Sequence, residues 1–449
     1  MAFEITNDLL ENVILLINTK NDEAISSLFS EMHYADIAEI LDEIPFDDAV
    51  YIIKLLDSET TSAVLTETDE DTREKILQNL TAKEIAEEIE ELDSDDAADM
   101  IAELPEERQE AVMSRIEDEE HVKEIEELLT YDEDSAGGLM AKELVRVNEN
   151  WTVLKCVKEM RIQAEEVTRV HSIYVVDDAG KLKGRLSLKD LLVASTRTPI
   201  SEIYIPKVDS VHVNDEAEEV ANIMRKYDLE AIPVVDNNNI LLGRITIDDI
   251  VDVIKEEAEK DYQLAAGITQ DVEADDSILD LTKARLPWLF LGLLGGVGAF
   301  LIMGLFENTF EENAVLFFFT PLIAAMAGNV GVQSSAIIVQ GLANDDVKGS
   351  INSRLIKEML LAALNGVILA GFLFVFVWIY EGKINTALAI SVSLVVVIIV
   401  AGLIGTFVPL FLDKRGIDPA IATGPFITTS NDIFGILIYF MIAKIILGI

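Results

Sequence analysis

Five long apolar stretches in the C-terminal part of the chain constrain its fold more than any other feature. Each reaches the roughly 20 residues that a helix needs to cross a lipid bilayer. They lie at residues 287–306, 315–341, 355–380, 386–412 and 425–447. Because lipid cannot hydrogen-bond to the backbone, each stretch is predicted to be helical. Residues 284–449 are therefore predicted to form an α-helical transmembrane domain of five helices.

Basic residues near the ends of these stretches predict the orientation of the chain. They precede the first stretch, separate the second from the third, and separate the fourth from the fifth: Lys283, Arg285, Lys348, Arg354, Lys357, Lys414 and Arg415. Cytoplasmic loops carry an excess of lysine and arginine. We therefore expect a multi-pass protein of the plasma (inner) membrane, with its N-terminus in the cytosol and its C-terminus outside. The segment from Met1 to Leu10 lacks the basic region of a secretory signal.

Most of the charge lies in front of the membrane domain. The formal net charge is -47, but the residues from 284 onward hold only ten of the 81 acids and eight of the 34 bases. An acidic front part argues against nucleic acid as a partner and suits cations. A surface that serves only solubility is the alternative. The single cysteine, Cys156, excludes an internal disulfide pair and a cysteine-based zinc site.

The N-terminal segment, 1–131, is predicted to form an acidic, all-α superhelical domain. Apolar residues recur at spacings of three and four, as in Ile37, Ile40, Leu41 and Ile44 and again in Ile85, Ile89 and Leu92. Two similar stretches, each with an aspartate pair before an alanine, indicate a solenoid of weak helical repeats. The aspartates are expected near helix starts, where they either cap backbone N–H groups or contribute to a cation site.

Residues 138–258 change to a tandem α+β pattern. The β-like runs 172–176 and 231–235 are each followed by an aspartate, a turn, a Gly-Arg strand and a helix, so that Asp177 corresponds to Asp236. Residues 184–190 match residues 243–249 at the same offset. This repeat resembles a pair of CBS domains, which we place at 132–200 and 201–258.

The CBS resemblance implies a nucleotide site. CBS pairs often bind adenosine nucleotides such as ATP, and the corresponding residues here are Ser187, Asp190, Thr246 and Asp249. The same serine and threonine can equally cap a helix, with each aspartate at the third helical position.

A linking helix is predicted between the repeat and the membrane. Residues 250–283 have a polar surface and an apolar stripe, so we expect one continuous helix, of which 259–283 form the plug-like connection. It would link a cytosolic sensor mechanically to the membrane domain.

Polar residues inside the second and fifth stretches are unlike those of a passive anchor. The second contains Pro321 and the glycine- and amide-rich run 328–335, which predicts a broken or closely packed helix. The fifth carries Asp432 about seven residues inside. An ionised aspartate at depth costs at least about 2.5–3.5 kcal/mol, so it should face protein, water or an ion. A packing acid bonded to neighbouring hydroxyls is the alternative.

The ligand chemistry of these stretches favours a hard divalent cation. Mg²⁺ prefers oxygen ligands and keeps much of its water. The candidate pore residues offer a carboxylate, amides, hydroxyls and a small backbone position: Asp432, Asn329, Gln333, Thr428, Thr429 and Gly328. Neither histidine nor cysteine occurs from residue 284 onward, which disfavours zinc, copper and nickel. Chemistry alone leaves Ca²⁺, Mn²⁺ and Co²⁺ open.

The whole chain resembles the MgtE family of magnesium channels and transporters. The resemblance rests on the domain order, on the junction segment 131–140 (YDEDSAGGLM), on 95–99 (DDAAD), on the glycine-asparagine run, and on Thr428, Thr429 and Asp432. It implies a homodimer with a pore on the two-fold axis, lined by the second and fifth spans. It also implies that Asp432 binds hydrated Mg²⁺ and that high cytosolic Mg²⁺ closes the pore.

Charge repulsion gives this closure a physical basis. Two carboxylates about 6 Å apart repel by roughly 3 kcal/mol at an effective dielectric of 20, so bound Mg²⁺ would favour compaction. The candidate sensor acids are Asp95, Asp96, Asp99, Glu216, Asp249, Asp252, Glu257, Glu259 and Asp418. Lys260 lies in the middle of an acidic stretch and argues against a site there.

Two other functions remain open on sequence alone. The chain could be an ion-coupled secondary transporter of divalent cations, although only one acid is evident inside a span. It could also be a membrane-anchored nucleotide or metal sensor without transport. An enzyme is not expected, because we find no catalytic triad, phosphate loop or metal-hydrolase motif.

Overall fold

The protein forms two compact units, residues 1–255 and 256–449. The computed structural model describes residues 5–164, 167, 169–269, 272, 276–307, 313–343, 347, 349–422 and 424–448. Lys348, one of the basic residues from which the orientation was predicted, lies outside the described residues.

The N-terminal domain is all helical, as predicted. Its helices are α1 (Asn7–Asn18), α2 (Asp22–Phe29), α3 (Tyr34–Glu43), α4 (Phe46–Ile53), α5 (Ser58–Glu67), α6 (Glu70–Asn79), α7 (Ala82–Ile89), α8 (Ser94–Ala102), α9 (Glu106–Met113) and α10 (Glu119–Leu128). Along the chain α3 packs on α5, α5 on α7, and α7 on α9. This stacking of every second helix confirms the predicted superhelix.

Local capping and apolar spacing explain these helices. Thr81 and Glu84 form a reciprocal capping box at the start of α7, and the Asp57 side chain accepts from the backbone N–H of Thr60 at the start of α5. Ile37, Ile40 and Leu41 are buried on one face of α3. Each helix is too short to be stable alone, so burial of these faces against neighbouring helices holds the domain together.

The following segment has the predicted tandem α+β architecture. Its elements are β1 (Val145–Asn148), α11 (Val153–Gln163), β2 (Ile173–Val176), β3 (Leu182–Leu186), α12 (Leu188–Val193), a 3-10 turn (Ile200–Glu202), β4 (Ile205–Pro206), β5 (Val211–His212), α13 (Ala217–Tyr227), β6 (Ala231–Val235), β7 (Leu241–Thr246) and α14 (Ile247–Ala266). The sheets have the orders β1-β2-β3-β4 and β5-β6-β7, with β1 parallel to β2 and β5 parallel to β6.

The constant offset between the two repeats corresponds to equivalent geometry in the two sheets. Asp177 accepts backbone N–H bonds from Ala179 and Lys181, and Asp236 does the same two and four positions on. Gly184 and Gly243 also occupy equivalent places, because a Cβ at either would overlap or crowd the carbonyl oxygen of a neighbouring segment. The repeated sequence pattern therefore encodes a repeated turn and a repeated close approach.

The junction segment 131–140 follows the helical domain and forms hydrogen bonds with the second repeat. The N–H of Ala136 donates to the carbonyl of Asp215 at 2.8 Å, and the N–H of Ala217 donates to the carbonyl of Asp134 at 2.9 Å. A Cβ on Gly138 would lie 2.6 Å from the carbonyl oxygen of Asp132. The glycines of this motif thus allow a compact turn that bonds to the segment at the start of α13.

The predicted continuous helix over 250–283 is wrong. Helix α14 ends at Ala266, and Gly267 has a φ of 82° that a side chain would disfavour. The next helix begins at Ile278, where the Ser277 hydroxyl accepts from the N–H of Asp280. Between them Thr269 bonds through its N–H and its hydroxyl to the carbonyl of Ala284, both at 3.0 Å. The connection therefore turns back on the membrane unit.

Five helices are long and apolar enough to cross a membrane in the part of the chain that the structure describes. They are α15 (Ile278–Leu305), α16 (Ala314–Ala343), α17 (Ile351–Glu381), α18 (Ile384–Asp413) and α19 (Gly424–Leu447). A short 3-10 turn, Pro419–Ala422, precedes α19. The first helix begins well before the predicted start at Pro287, because proline is tolerated inside it.

Helix α18 is the centre of the membrane unit and packs on α16, α17 and α19. Helix α16 is continuous through Pro321 and the glycine-rich run, so the prediction of a broken helix is wrong and that of a closely packed one is right. A Cβ on Gly405 of α18 would overlap the carbonyl oxygen of Gly331 on α16. The two backbones meet because both positions are glycine.

Candidate functional site

A cleft of about 470 Å³ lies between α16 and α19. Its lining residues are Ala324, Ala325, Gly328, Asn329, Val332, Gln333, Thr428 and Asp432. On each helix these residues recur at a spacing of four, so they share one face. The structure therefore brings together five of the six predicted pore residues.

Asp432 gives the cleft its charge. It lies on the third turn of α19, which starts at Gly424, about 12 Å along the helix at 1.5 Å per residue. None of the salt bridges among the described residues involves it. Around it the cleft offers the amides of Asn329 and Gln333 and the hydroxyl of Thr428, which are groups that bind a cation or its water.

Thr429, the sixth predicted pore residue, lies elsewhere. Its side chain packs against α15, where a Cβ on Gly295 would overlap its methyl group. Its side chain therefore points toward α15 and not toward the cleft that Thr428 lines. The structure assigns Thr429 to the α15–α19 contact.

Asn431, next to Asp432, is a polar residue that sequence analysis did not select. It is 1% exposed, and neither its amide nitrogen nor its amide oxygen has a hydrogen-bond partner among the described residues. Its amide lies against Gly331 of α16. Gly331 thus accommodates a polar side chain on one side and Gly405 on the other.

Glu358 is a second acid inside a span that sequence analysis missed. It lies two turns after the start of α17, and the hydroxyl of Ser334 on α16 donates to its carboxylate at 2.6 Å. A Cβ on Gly402 of α18 would be 2.9 Å from the same oxygen. Its position within the apolar run 355–380 was the signal that could have revealed it.

In the N-terminal unit, acids from α8 and from the start of α14 face each other. Burial among protein atoms and then the neighbouring carboxylates raise the pKa values of Asp95 and Asp96, with Asp249 among the neighbours of both. Burial, followed by Glu133, raises the pKa of Asp99 to about 7. Four predicted sensor acids, Asp95, Asp96, Asp99 and Asp249, therefore form one cluster. Burial and mutual repulsion make the ionised form of these acids unfavourable there.

Further acids that were not predicted join this cluster. Asp93 is bonded by Arg244 at 3.4 Å, and Arg244 also donates to the carbonyl of Arg169 at 3.1 Å. Carboxylate oxygens of Asp93, Asp95 and Glu143 lie within 4.8 Å of one another, a spacing that suits a cation. Asp93 and Glu143 belong to no repeated pattern, so only the fold could reveal their proximity to Asp95.

The other predicted sensor acids are not among the groups that most strongly shift the pKa values of Asp95, Asp96 and Asp99. Asp252 is exposed. Burial raises the pKa of Glu67 on α5, and the negative charges of Asp252 and Asp248 raise it further. Glu216 is an exposed residue at the start of α13. In the membrane unit Glu257 pairs with Lys260 at 2.9 Å, Glu259 is exposed, and Asp418 accepts the N–H of Ala420 at 2.7 Å.

The predicted nucleotide residues occupy helix starts. The hydroxyl of Ser187 accepts the N–H of Lys189 at 3.2 Å, with Asp190 at the third position of α12. The Thr246 hydroxyl donates to the Asp249 carboxylate at 2.7 Å, and its N–H donates to the same oxygen at 3.1 Å. The second pair is already bonded within itself, whereas Ser187 and Asp190 remain partly exposed.

Comparison with known proteins accounts for both halves of the molecule. Residues 320–442 match a family model described as MgtE, divalent cation transporter, and residues 32–134 match the MgtE intracellular N domain. Residues 136–197 and 200–256 match the CBS domain. The magnesium transporter MgtE of Enterococcus faecalis is 38% identical over 317 residues, which are 70% of each chain. This chain belongs to the MgtE family.

Other MgtE proteins give the same result. The magnesium transporter MgtE of Thermus thermophilus is 38% identical over 320 residues, 71% of each chain. A crystal structure of the cytosolic domain of the Mg²⁺ channel MgtE in complex with ATP is 34% identical, with a TM-score of 0.51, and covers 54% of this chain and 99% of that one. The soluble part of a magnesium transporter is 29% identical, with a TM-score of 0.50 over 56% and 98%. The predicted family and fold class are confirmed.

Proposed function

We propose that this MgtE family member conducts Mg²⁺ into the cell through the cleft between α16 and α19. The observation that carries the proposal is a carboxylate, Asp432, on a polar cleft inside a membrane helix and without a basic partner among the described residues. An ionised carboxylate in such a place requires water or a cation beside it.

The size and chemistry of the cleft suit a hydrated ion. Mg²⁺ holds its ligands octahedrally and loses water reluctantly. Six waters at about 30 Å³ each occupy about 180 Å³, well within the cleft volume of about 470 Å³. In this proposal Asp432 attracts the ion, while Asn329, Gln333 and Thr428 bond to its waters.

A second copy of the chain would complete the pore. Asn329 and Gln333 lie on the cleft but are exposed in the single chain. Polar side chains facing lipid would be costly. A homodimer whose two-fold axis runs along this face would place them against the partner's equivalent face and enclose the path for the ion.

The acidic cluster supports closure by cytosolic Mg²⁺. Asp95, Asp96, Asp99 and Asp249 are held close together although their charges repel. Mg²⁺ bound among them would stabilise the compact form of the N-terminal unit, so the ion acts on a two-state equilibrium. Helix α14 begins in this unit and continues into the other, which gives the signal a covalent route.

A nucleotide at the CBS pair is part of the proposal. The partly exposed Ser187 and Asp190 at the start of α12 could meet a ribose, and a related cytosolic domain was crystallised with ATP. The orientation with a cytosolic N-terminus and an external C-terminus, in the plasma membrane, follows from the loop charges.

An ion-coupled transporter is the second candidate, because Glu358 is a second carboxylate inside a span. Purified protein in liposomes distinguishes the two. A channel gives Mg²⁺ influx driven by the Mg²⁺ gradient and membrane voltage alone, with Na⁺ and H⁺ equal on both sides. Influx that requires a Na⁺ or H⁺ gradient would contradict the channel, and absence of influx in all conditions would contradict transport.

A further inference from the structure

A histidine and two glutamates meet beside the acidic cluster in the N-terminal unit. His121 and Glu124 are one turn apart on α10, and Glu143 precedes β1. One ligand atom from each lies within 4.8 Å of the other two, and all three residues are partly buried. A helical i, i+3 pair joined by a third residue from another segment is a compact arrangement of three cation ligands.

A backbone carbonyl outside this group of three residues orients the ring of His121. Its Nε2 lies 3.3 Å from the carbonyl oxygen of Ile89, which can only accept, so the ring N–H is at Nε2. The lone pair of the neutral ring is then on Nδ1. Histidines that bind metals usually donate their other N–H to a carbonyl or carboxylate in this way.

Glu143 is also held in place. Its two carboxylate oxygens accept from the N–H and the hydroxyl of Ser94, at 3.1 and 2.9 Å. The nearby Lys142 bonds to Glu127 at 2.6 Å. Burial, then Glu143 and Glu120, raise the pKa of Glu124 to about 7, which marks a place where positive charge would be favourable.

The donor set differs in kind from that of the neighbouring aspartates. A nitrogen with two carboxylates suits Mn²⁺, Co²⁺ or Zn²⁺, whereas Mg²⁺ prefers oxygen ligands alone. We propose that His121, Glu124 and Glu143 bind a divalent transition metal that Mg²⁺ does not readily displace. The bound ion would tie α10 of the helical domain to the segment that enters β1.

Glu143 gives the site a connection to the acidic cluster. Its carboxylate also lies within 4.8 Å of those of Asp93 and Asp95. A transition metal on one side of Glu143 and a cation among the aspartates would therefore share a ligand. The inference concerns binding in the N-terminal unit and does not depend on which ion crosses the membrane.

The test uses the purified full-length protein titrated with Mn²⁺ in millimolar Mg²⁺, with free Mn²⁺ followed by electron paramagnetic resonance. We expect one Mn²⁺ per chain that resists Mg²⁺. His121→Gln and Glu124→Gln should each weaken this binding at least ~10-fold. Glu126→Gln, an exposed charge change on the same helix, should leave it unchanged.

A spectroscopic signature separates ligation from a structural effect. The bound Mn²⁺ should show hyperfine coupling to a ring nitrogen in the wild type and lose it in His121→Gln. Complete displacement by Mg²⁺, unchanged affinity in His121→Gln, or absence of nitrogen coupling in the wild type would each overturn the proposal. The wild-type coupling decides the question even if a variant fails to fold.

Discussion

Asp96 and Asp99 have side chains that reach solvent, yet their protonation is set by the protein around them. The protein packed around each carboxyl group is the largest cause that raises its pKa, and neighbouring acids are the second cause. The pKa of each reaches about 7 although both side chains also reach solvent. The groups facing them include Asp93, Asp248, Asp249, Glu103, Glu133 and Arg73. Near neutral pH these aspartates are therefore expected to exchange protons, and in the proposed closure they would also bind divalent cations.

This predicts a pH dependence of the compact form without divalent cations. Because the pKa values are raised in the compact form, it binds more protons than the open form between about pH 4 and about pH 7. Its stability should therefore fall as the pH rises through this window. Limited proteolysis of the full chain should be slower at pH 5.5 than at pH 7.5, and Mg²⁺ should remove most of the difference.

A matched pair of variants checks the assignment. Asp96→Asn combined with Asp99→Asn should weaken the pH dependence, whereas Asp48→Asn, at the position of α4 that corresponds to Asp96 of α8, should not. Equal proteolysis at both pH values in the wild type would contradict this account of the cluster.

At the scale of helices, the sequence predicted which elements exist better than how they meet. The length of the apolar stretches predicted the five spans, and the constant offset between matching segments predicted the tandem repeat. The period could not decide between Thr428 and Thr429, because the choice depends on where α15 and α16 lie. The apolar stripe predicted for 250–283 also continued through Gly267, so the sequence did not predict that α14 ends at Ala266.

The contact between α16 and α18 supplies a prediction for an element. A Cβ on Gly405 would overlap backbone of Gly331, which cannot move aside as a side chain can. Gly405→Ala should therefore destabilise the membrane unit by about 1–3 kcal/mol. Gly371→Ala on α17 is the control, because an added Cβ there would meet no described atom of another segment within 4 Å, and it should be neutral or slightly stabilising.

Thermal unfolding in detergent measures the difference. A lower midpoint for Gly405→Ala than for Gly371→Ala is expected. Equal midpoints would show that the two helices are not held at this distance.

For the whole molecule, the domain order and the family were accessible from sequence, whereas the ligand groups were only partly so. Residues close in sequence, such as Asp95, Asp96 and Asp99, were selected as candidates. Asp93, Glu143 and Glu358 were not, because their partners come from distant segments that only folding brings together. Sites assembled across elements carry no local signature in a single sequence.

The central claim is that hydrated Mg²⁺ passes beside Asp432. The most direct measurement is Mg²⁺ influx into liposomes containing Asp432→Asn, which keeps the shape of the side chain and removes its charge. Asp413→Asn, an acid at the end of α18, is the matched control. We predict that Asp432→Asn lowers influx at least ~10-fold at equal protein insertion while the control retains it. Wild-type influx in Asp432→Asn would contradict the account.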